Sequence, residues 1–228
     1  MSNILIVGAT GDIGNAIHEQ FSESYIITVS KKRRPLLKSN HHFLDLTKEV
    51  NNGDMEEIFA GLTHLDALIY TPGFAQFDMI QDVTMNDIDT QYTLSIKNLV
   101  VFIQAALPLL KKSKNGRIIV VTSIWGQVGA SCESIYSSMK GAQNTLVKSL
   151  AKELALTNVT VNAVAPGVVR GSMTNELSDV DQQILLNELP QNRFIDASEV
   201  ASLVEFICTE SSKSITGEVF NLNGGWYT

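Results

Sequence analysis

Two spacings of apolar residues alternate along the chain. Short runs rich in β-branched residues, Ile4–Val7, Ile26–Val29, Phe43–Leu44, Ala67–Tyr70, Arg117–Thr122, Val159–Val164 and Val219–Leu222, read as strands. Several are apolar at successive positions rather than at every second one, the pattern of parallel strands covered on both faces. Between them the apolar positions recur at helical spacing, over Ile13–Phe21, Gln91–Lys111, Ile135–Leu156 and Ser198–Cys208. In the last of these, Val200, Leu203, Val204 and Ile207 share one face, Asp196 or Ser198 supplies an N-cap, and Glu199 sits in the first turn. Strand–helix–strand repetition predicts right-handed crossovers and an α/β fold, a single-domain Rossmann-type doubly wound parallel sheet over residues 1–228. No Pro-, Gly- or Ser-rich linker and no repeat divides it. Ligands of such sheets bind beyond the carboxyl ends of the strands, where the strand order switches.

Composition narrows the class. With 228 residues, 44% hydrophobic and 18% charged, the chain can bury a sizeable core. A net charge of −7 argues against nucleic acid as a partner. The two cysteines, Cys132 and Cys208, fit neither a disulfide framework nor a metal spacing, and a reducing cytoplasm is the expected compartment. The N-terminus runs straight into a strand and a glycine, unlike a signal peptide. The longest apolar run, Leu99–Leu110, is interrupted by Gln104 and Pro108 and is shorter than the ~20 residues a bilayer requires, so a buried helix and no membrane are expected. His18, His41, His42 and His64 form no metal-like cluster and read as surface or turn residues; no metal is expected.

The first strand leads into Gly8-Ala9-Thr10-Gly11-Asp12-Ile13-Gly14, and a helix follows. Glycines there permit a tight turn and close backbone approach to a pyrophosphate, which the helix N-terminus attracts. Asp12 would repel that anion, and is expected to be a first-turn dipole partner facing solvent. The second strand ends Ser30-Lys31-Lys32-Arg33-Arg34, with no acid to take a ribose 2′-hydroxyl and four cations that suit a 2′-phosphate. NADP(H) is therefore the expected coenzyme, with Ser30, Lys31 and Lys32 nearest the phosphate; a solvated basic turn is the alternative. Asp45, with Leu46 beside it, either meets the adenine amino group or caps the turn with Thr47.

Tyr136 and Lys140 lie four residues apart on one helical face, and Ser123 follows the strand Arg117–Thr122. A cation beside a phenol lowers its pKa and lets it exchange a proton near neutrality. With the Gly8–Gly14 loop, Asp66–Gly73 at the fourth strand, Ser123 thirteen residues before Tyr136, Asn162–Gly167, Ile215-Thr216-Gly217 and Asn223-Gly224-Gly225, the chain resembles the short-chain dehydrogenase/reductase family over its whole length. The resemblance implies that Ser123 polarises a carbonyl, that Tyr136 donates the proton, and that Lys140 lowers the tyrosine pKa and holds the nicotinamide ribose. It also implies coenzyme contacts at Thr71, Pro72, Gly73, Pro166, Gly167 and Val169, with Pro166 and Gly167 bordering the nicotinamide pocket. Four departures stand out. Tyr70-Thr71-Pro72-Gly73 replaces the family's Asn-Asn-Ala-Gly, Ser95 falls where an asparagine supports a proton-relay water, Gly171 where a threonine reaches the coenzyme, and Asp12 where many members carry glycine.

The loop Ile124–Glu133 lies between the catalytic serine and tyrosine and is expected to line the substrate pocket, through Trp125, Gln127, Cys132 and Glu133. Glu133 is either a partner for a cationic substrate group or an acid at a helix N-terminus; Cys132 reads as a small buried filler. Residues 170–190 read as a lid carrying Met173, Leu177, Ile184 and Leu185. Within the family the chain is similar to 3-oxoacyl-acyl-carrier-protein reductases by length and its Asn223-Gly224-Gly225 ending, and Lys111, Lys112 and Lys114 can meet an acidic carrier. It is also similar to elongation factor P 5-aminopentanone reductases, through Ser123–Gln127, Gly129–Glu133 and Gly225–Thr228. Both imply NADPH-dependent reduction of a ketone. A non-catalytic NADP(H)-binding sensor or scaffold is the alternative from another class, opposed by the intact Ser123, Tyr136 and Lys140. The resemblance further implies a homotetramer or homodimer.

Overall fold

In the computed structural model, which describes residues 2–32, 40–175 and 177–227, Ile4 and Ile6 face one side of a sheet and Leu5 and Val7 the other. All four are buried, which is why the first strand is apolar at every position from Ile4 to Val7. The elements run β1 (Asn3–Val7), α1 (Asp12–Gln20), β2 (Tyr25–Ser30), β3 (Asn40–Phe43), α2 (Asn52–Ile58), β4 (Ala67–Tyr70), α3 (Met85–Tyr92), a π-helical turn (Thr93–Lys97), α4 (Asn98–Leu110), β5 (Gly116–Val121), α5 (Trp125–Val128), α6 (Ser134–Glu153), β6 (Val159–Pro166), α7 (Ser172–Asn175), α8 (Asp179–Glu188), α9 (Ala197–Cys208), a 3₁₀ turn (Glu210–Ser212) and β7 (Val219–Leu222).

The seven strands form one sheet in the order β3-β2-β1-β4-β5-β6-β7, with every adjacent pair parallel. From β1 the chain winds outward first through β2 and β3, then the other way through β4, so the switch in strand order lies between β1 and β4. On one face Leu5, Leu68, Ile118 and Val161 pack with Phe102, Ala106 and Val147 of α4 and α6. On the other, Ile6, Ile69, Ile119 and Val164 pack with Ile17, Val200 and Val204 of α1 and α9.

The expected strand Phe43–Leu44 is instead Asn40–Phe43, an edge strand that is half exposed, so its polar positions hid it. His41 and His42 belong to it and are half-buried rather than in a turn: His41 Nδ1 lies 2.8 Å from Thr28 Oγ1, and His42 Nδ1 lies 3.4 Å from Glu57. The expected helix Gln91–Lys111 begins earlier, at Met85, behind a capping box of Thr84 and Asp87. Met85–Leu110 is thus long and apolar enough to cross a membrane by length and composition alone. Burial of Leu99, Phe102, Ile103, Ala106 and Leu110 against the sheet accounts for that apolarity. Asp196 caps α9 in a capping box with Glu199, as its sequence suggests. The other end of α9 is held by buried Arg117, whose guanidinium donates to the carbonyls of Ile207 and Thr209, each at 3.0 Å.

Candidate active site

A cleft of about 450 Å³ opens at the carboxyl ends of β1 and β4. Gly8, Gly11, Asp12, Ile13 and Gly14 form one wall, Thr71–Gly73 another, and Val169–Gly171 face them. Gly8 has φ +86°, and a Cβ on it would lie 2.4 Å from Thr71 Oγ1; one on Gly14 would lie 2.3 Å from the Gly8 carbonyl oxygen. Side chains there would break the turn that aims the first amides of α1 into the cleft. Thr10 lies within the same turn, and the Thr71 hydroxyl donates to the Val7 carbonyl at 2.9 Å, joining the two strand ends. A dinucleotide fits this cradle: Gly8–Gly14 would hold its diphosphate, and Gly73, where a Cβ would lie 3.0 Å from Lys140 Nζ, leaves room over the lysine for a ribose. Pro166 and Gly167 end β6, the Pro166 carbonyl accepting from the Ile124 amide at 3.1 Å, so they sit directly behind the serine.

Coenzyme positions further out are built differently from expectation. Asp45 caps its turn through Thr47, with Oδ1 2.7 Å from Oγ1, and pairs with Lys31 at 2.8 Å. These hydrogen bonds, the one from Lys31 first, hold its carboxyl at about 2. The Leu46 side chain is in the core rather than the cleft, because buried Asn98 pulls its loop inward, donating to the carbonyls of Leu46 and Lys48, each at 2.8 Å. Nothing in the sequence pattern marked Asn98, a polar residue inside an apolar helix. Ser30 is buried, and its hydroxyl donates to the Lys32 carbonyl at 2.7 Å, while Lys31 and Lys32 are exposed. Arg33 and Arg34 lie outside the described residues.

Ser123, Tyr136 and Lys140 come together beside the Pro72–Gly73 wall of the cleft. Ser123 leaves β5 at its carboxyl end, and Tyr136 and Lys140 lie on successive turns of α6. The Ser123 hydroxyl lies close enough to the Tyr136 phenol to act on its pKa, and Lys140 Nζ lies 5.6 Å from the tyrosine ring centroid. Lys140 is 2% exposed, and its ammonium donates to the Val121 carbonyl at 3.0 Å and the Pro72 carbonyl at 3.4 Å. The tyrosine pKa is not lowered, against expectation. Burial pushes it up to about 12, the Ser123 hydroxyl opposes the rise and the Glu133 charge adds to it. Burial also pushes Lys140 down to about 7. At neutral pH Tyr136 is therefore a protonated phenol with the Ser123 hydroxyl nearby, the state of a proton donor.

Ser95 is buried in the π-helical turn, and its hydroxyl has no hydrogen-bond partner among the described residues. Its carbonyl accepts from Gln143 Nε2 at 2.8 Å, and the neighbouring Leu94 carbonyl from the Tyr70 hydroxyl at 2.5 Å. Widening the helix to i→i+5 frees carbonyls, and two side chains from β4 and α6 collect them. A tyrosine at position 70 thus has a structural task that its place in the motif did not disclose.

Of the expected substrate residues, Cys132 joins Tyr136 in lining a hollow beside the site, together with Gln76, Asp78 and Gln91. Cys132 is no buried filler: it is half-exposed at φ +63°, its Sγ 3.5 Å from Met79 Sδ. Gln76 and Asp78 lie in irregular chain, where periodicity gives no signal. Trp125 and Gln127 turn elsewhere. A Cβ on Gly126 would lie 2.6 Å from the Lys140 carbonyl carbon, so α5 lies flat on α6. That directs Trp125 onto Trp226 and Tyr227, at centroid distances of 5.1 and 5.7 Å, and Gln127 onto Asn221 Oδ1 at 2.5 Å. Lys111, Lys112 and Lys114 follow α4 at the amino end of β5, whereas the cleft opens at the carboxyl ends of the strands.

Glu133 occupies the N-cap position of α6 without making a cap bond, and is buried. Burial raises its pKa from an ordinary 4.5 to about 7. Because the folded value is the higher one, this group favours folding most below pH ~4.5, and that contribution is lost as pH rises through 7. Glu133→Gln is expected to melt with the parent at pH 5 and about 3–6 °C above it at pH 8, the equivalent of about 1–2 kcal/mol once solvent screening is allowed for. Equal melting temperatures at both pH values would contradict a buried carboxylate here.

Comparison with known proteins agrees with this fold. The sequence family described as enoyl-(acyl carrier protein) reductase matches residues 43–227. The uncharacterized oxidoreductase YmfI of Bacillus subtilis (strain 168) is 31% identical, the alignment covering 98% of each chain. The 3-oxoacyl-[acyl-carrier-protein] reductase FabG of Aquifex aeolicus (strain VF5) is 31% identical over 99% of this chain and 88% of its own. A solved short-chain dehydrogenase/reductase, a glucose/ribitol dehydrogenase from Brucella melitensis, superposes with a TM-score of 0.89 at 25% identity, covering 100% of this chain and 97% of its own.

Proposed function

The chain belongs to the short-chain dehydrogenase/reductase family of nicotinamide-dependent oxidoreductases, and on that premise we propose that it reduces a ketone to a secondary alcohol with NADPH, as 3-oxoacyl-acyl-carrier-protein reductases do. The observation that carries this reading is the placement of Tyr136, with Ser123 close by, and buried Lys140 against Gly73, one wall of the glycine-lined cleft. When bound, the reduced nicotinamide supplies the hydride to the carbonyl carbon. The rest belongs to the chain. Ser123 donates to the carbonyl oxygen and fixes it near the phenol. Tyr136, held protonated by burial, passes its proton to that oxygen as negative charge develops there. Lys140 holds the ribose below Gly73 and, once charged, stabilises the phenolate left behind.

Preference for NADPH follows from the end of β2, where no acid stands to take a 2′-hydroxyl. Lys31, braced by Asp45, and exposed Lys32 suit a 2′-phosphate. A second reading is favoured by Glu133, a buried carboxylate close enough to Tyr136 to act on its charge. A ketone carrying an amine, such as the aminopentanone group on elongation factor P, would find its counter-charge there. Either substrate fits a cytoplasmic homotetramer or homodimer associated through α4 and α6.

The test is coenzyme oxidation by the purified protein, with NADPH and NADH compared. Its substrates are an acetoacetyl thioester and elongation factor P bearing the aminopentanone group. NADPH-dependent turnover of the thioester is expected. Turnover confined to the modified factor would favour the second reading, and NADPH binding without turnover of either would make the chain a coenzyme sensor.

A further inference from the structure

A carboxylate in a phosphate turn ought to weaken coenzyme binding, and Asp12 was expected to escape by facing solvent. It does not. Asp12 is half-buried, and its Oδ2 accepts from both the amide and the hydroxyl of Ser172, at 2.7 and 2.9 Å. The partner lies 160 residues away, in the first turn of the lid. Gly171 shows that the two sites are built for each other. A Cβ on it would lie 2.3 Å from Asp12 Oδ2 and 2.7 Å from Cγ, so the carboxylate occupies the space that any side chain at position 171 would need. Asp12 and Gly171 are thus one coupled arrangement rather than two separate departures from the family pattern.

Among its described residues the lid is anchored at its ends, by the Arg170 amide donating to the Ile195 carbonyl at 2.8 Å and by buried Leu189. Between them no residue of α8 is buried, and the buried Thr174 hydroxyl bonds only locally, to the Gly171 carbonyl at 2.9 Å. Segments with so little burial open at small free-energy cost, so one pair of charge-assisted hydrogen bonds weighs heavily in their closure. Asp12, Gly171 and Ser172 also all line the cleft, so the bond joins two segments of its wall.

We propose that Asp12 is the positioning residue of the lid: its carboxylate latches the Gly171–Ser172 turn to the phosphate loop, closing the cleft through a protein–protein bond that must break for coenzyme to leave. The donors of Ser172 engage the carboxylate and turn its charge towards the lid, leaving the amides of α1 for the diphosphate. The latch as a gate on coenzyme rests on the proposed NADPH reading; the latch itself does not.

Amide hydrogen exchange of the Ser172–Asn175 turn, measured without coenzyme, and the NADPH dissociation rate test it together. Asp12→Ala is expected to speed both by about five- to tenfold. Asp12→Asn, which keeps an oxygen for both donors, stays near the parent. Gly171→Ala reproduces Asp12→Ala by crowding, and combining it with Asp12→Gly adds nothing, a non-additivity that two unrelated lesions would not give. Unchanged exchange in Asp12→Ala overturns the latch. So does slower NADPH release in that variant, which would mean that Asp12 acts by repelling the coenzyme. If exchange responds as expected but no variant binds NADPH, the latch stands and the coenzyme reading falls.

Discussion

Replacing Tyr136 with phenylalanine is expected to lower turnover by about 10²–10⁴-fold while NADPH affinity holds. The substitution deletes one oxygen, the atom near Ser123 that is proposed to give up the proton. The ring keeps its place over Lys140, 5.6 Å from Nζ, so the ribose side of the site is preserved. Fluorescence titration with NADPH and steady-state rates on the same preparation separate the two effects. Activity near the parent's would remove Tyr136 from the chemistry and move proton donation to another group.

Lys140→Met is expected to give a more stable and nearly inactive protein. Burial holds the lysine pKa at about 7 against an ordinary 10.5, so keeping a charge there is costly wherever the unfolded chain is protonated and the folded one resists. With the folded value the lower one, the cost is complete below pH 7 and fades as pH rises to 10.5. Every tenfold loss of proton affinity on folding costs ~1.4 kcal/mol, but the variant also orphans the Val121 and Pro72 carbonyls, which returns ~1 kcal/mol apiece. A net gain of about 1–3 kcal/mol is expected at pH 6, with a smaller difference at pH 10. Turnover falls by about 10²–10³-fold, as for loss of a preorganised charge in a dry site. Denaturant titrations at the two pH values decide it; no gain at pH 6 would mean that the lysine is comfortably solvated. Stability is given up for function at this residue.

Legibility in the sequence differed from element to element. β1, β4, β5 and β6 are buried on both faces, and their apolar runs, broken in β6 only by Thr160 and Asn162, announced them. The edge strand β3 buries little and carries two histidines, so nothing in its composition distinguished it from a loop. The proposed catalytic set was legible because its geometry is local. A four-residue spacing on one helix places Tyr136 over Lys140 wherever that helix lies, and a serine after a strand must emerge at the sheet's carboxyl edge. The substrate side was not. Which way Trp125 and Gln127 face depends on how closely α5 can lie on α6, and Gly126 sets that through a contact with a backbone 14 residues further on.

The sequence by itself thus determined the parallel doubly wound sheet, the glycine turn at its switch point and the Ser123–Tyr136–Lys140 set, because each follows from period, turn chemistry or spacing within a short stretch. Only the tertiary structure decided the charge states, since the pKa values of Tyr136, Lys140 and Glu133 answer to water excluded by segments remote in the chain. It alone also joined Asp12 to Ser172 across 160 residues and turned an apparent defect in the phosphate loop into a fastening. Burial and long-range contact are properties of the packed chain, and no local pattern encodes which distant group fills the space that a missing side chain leaves.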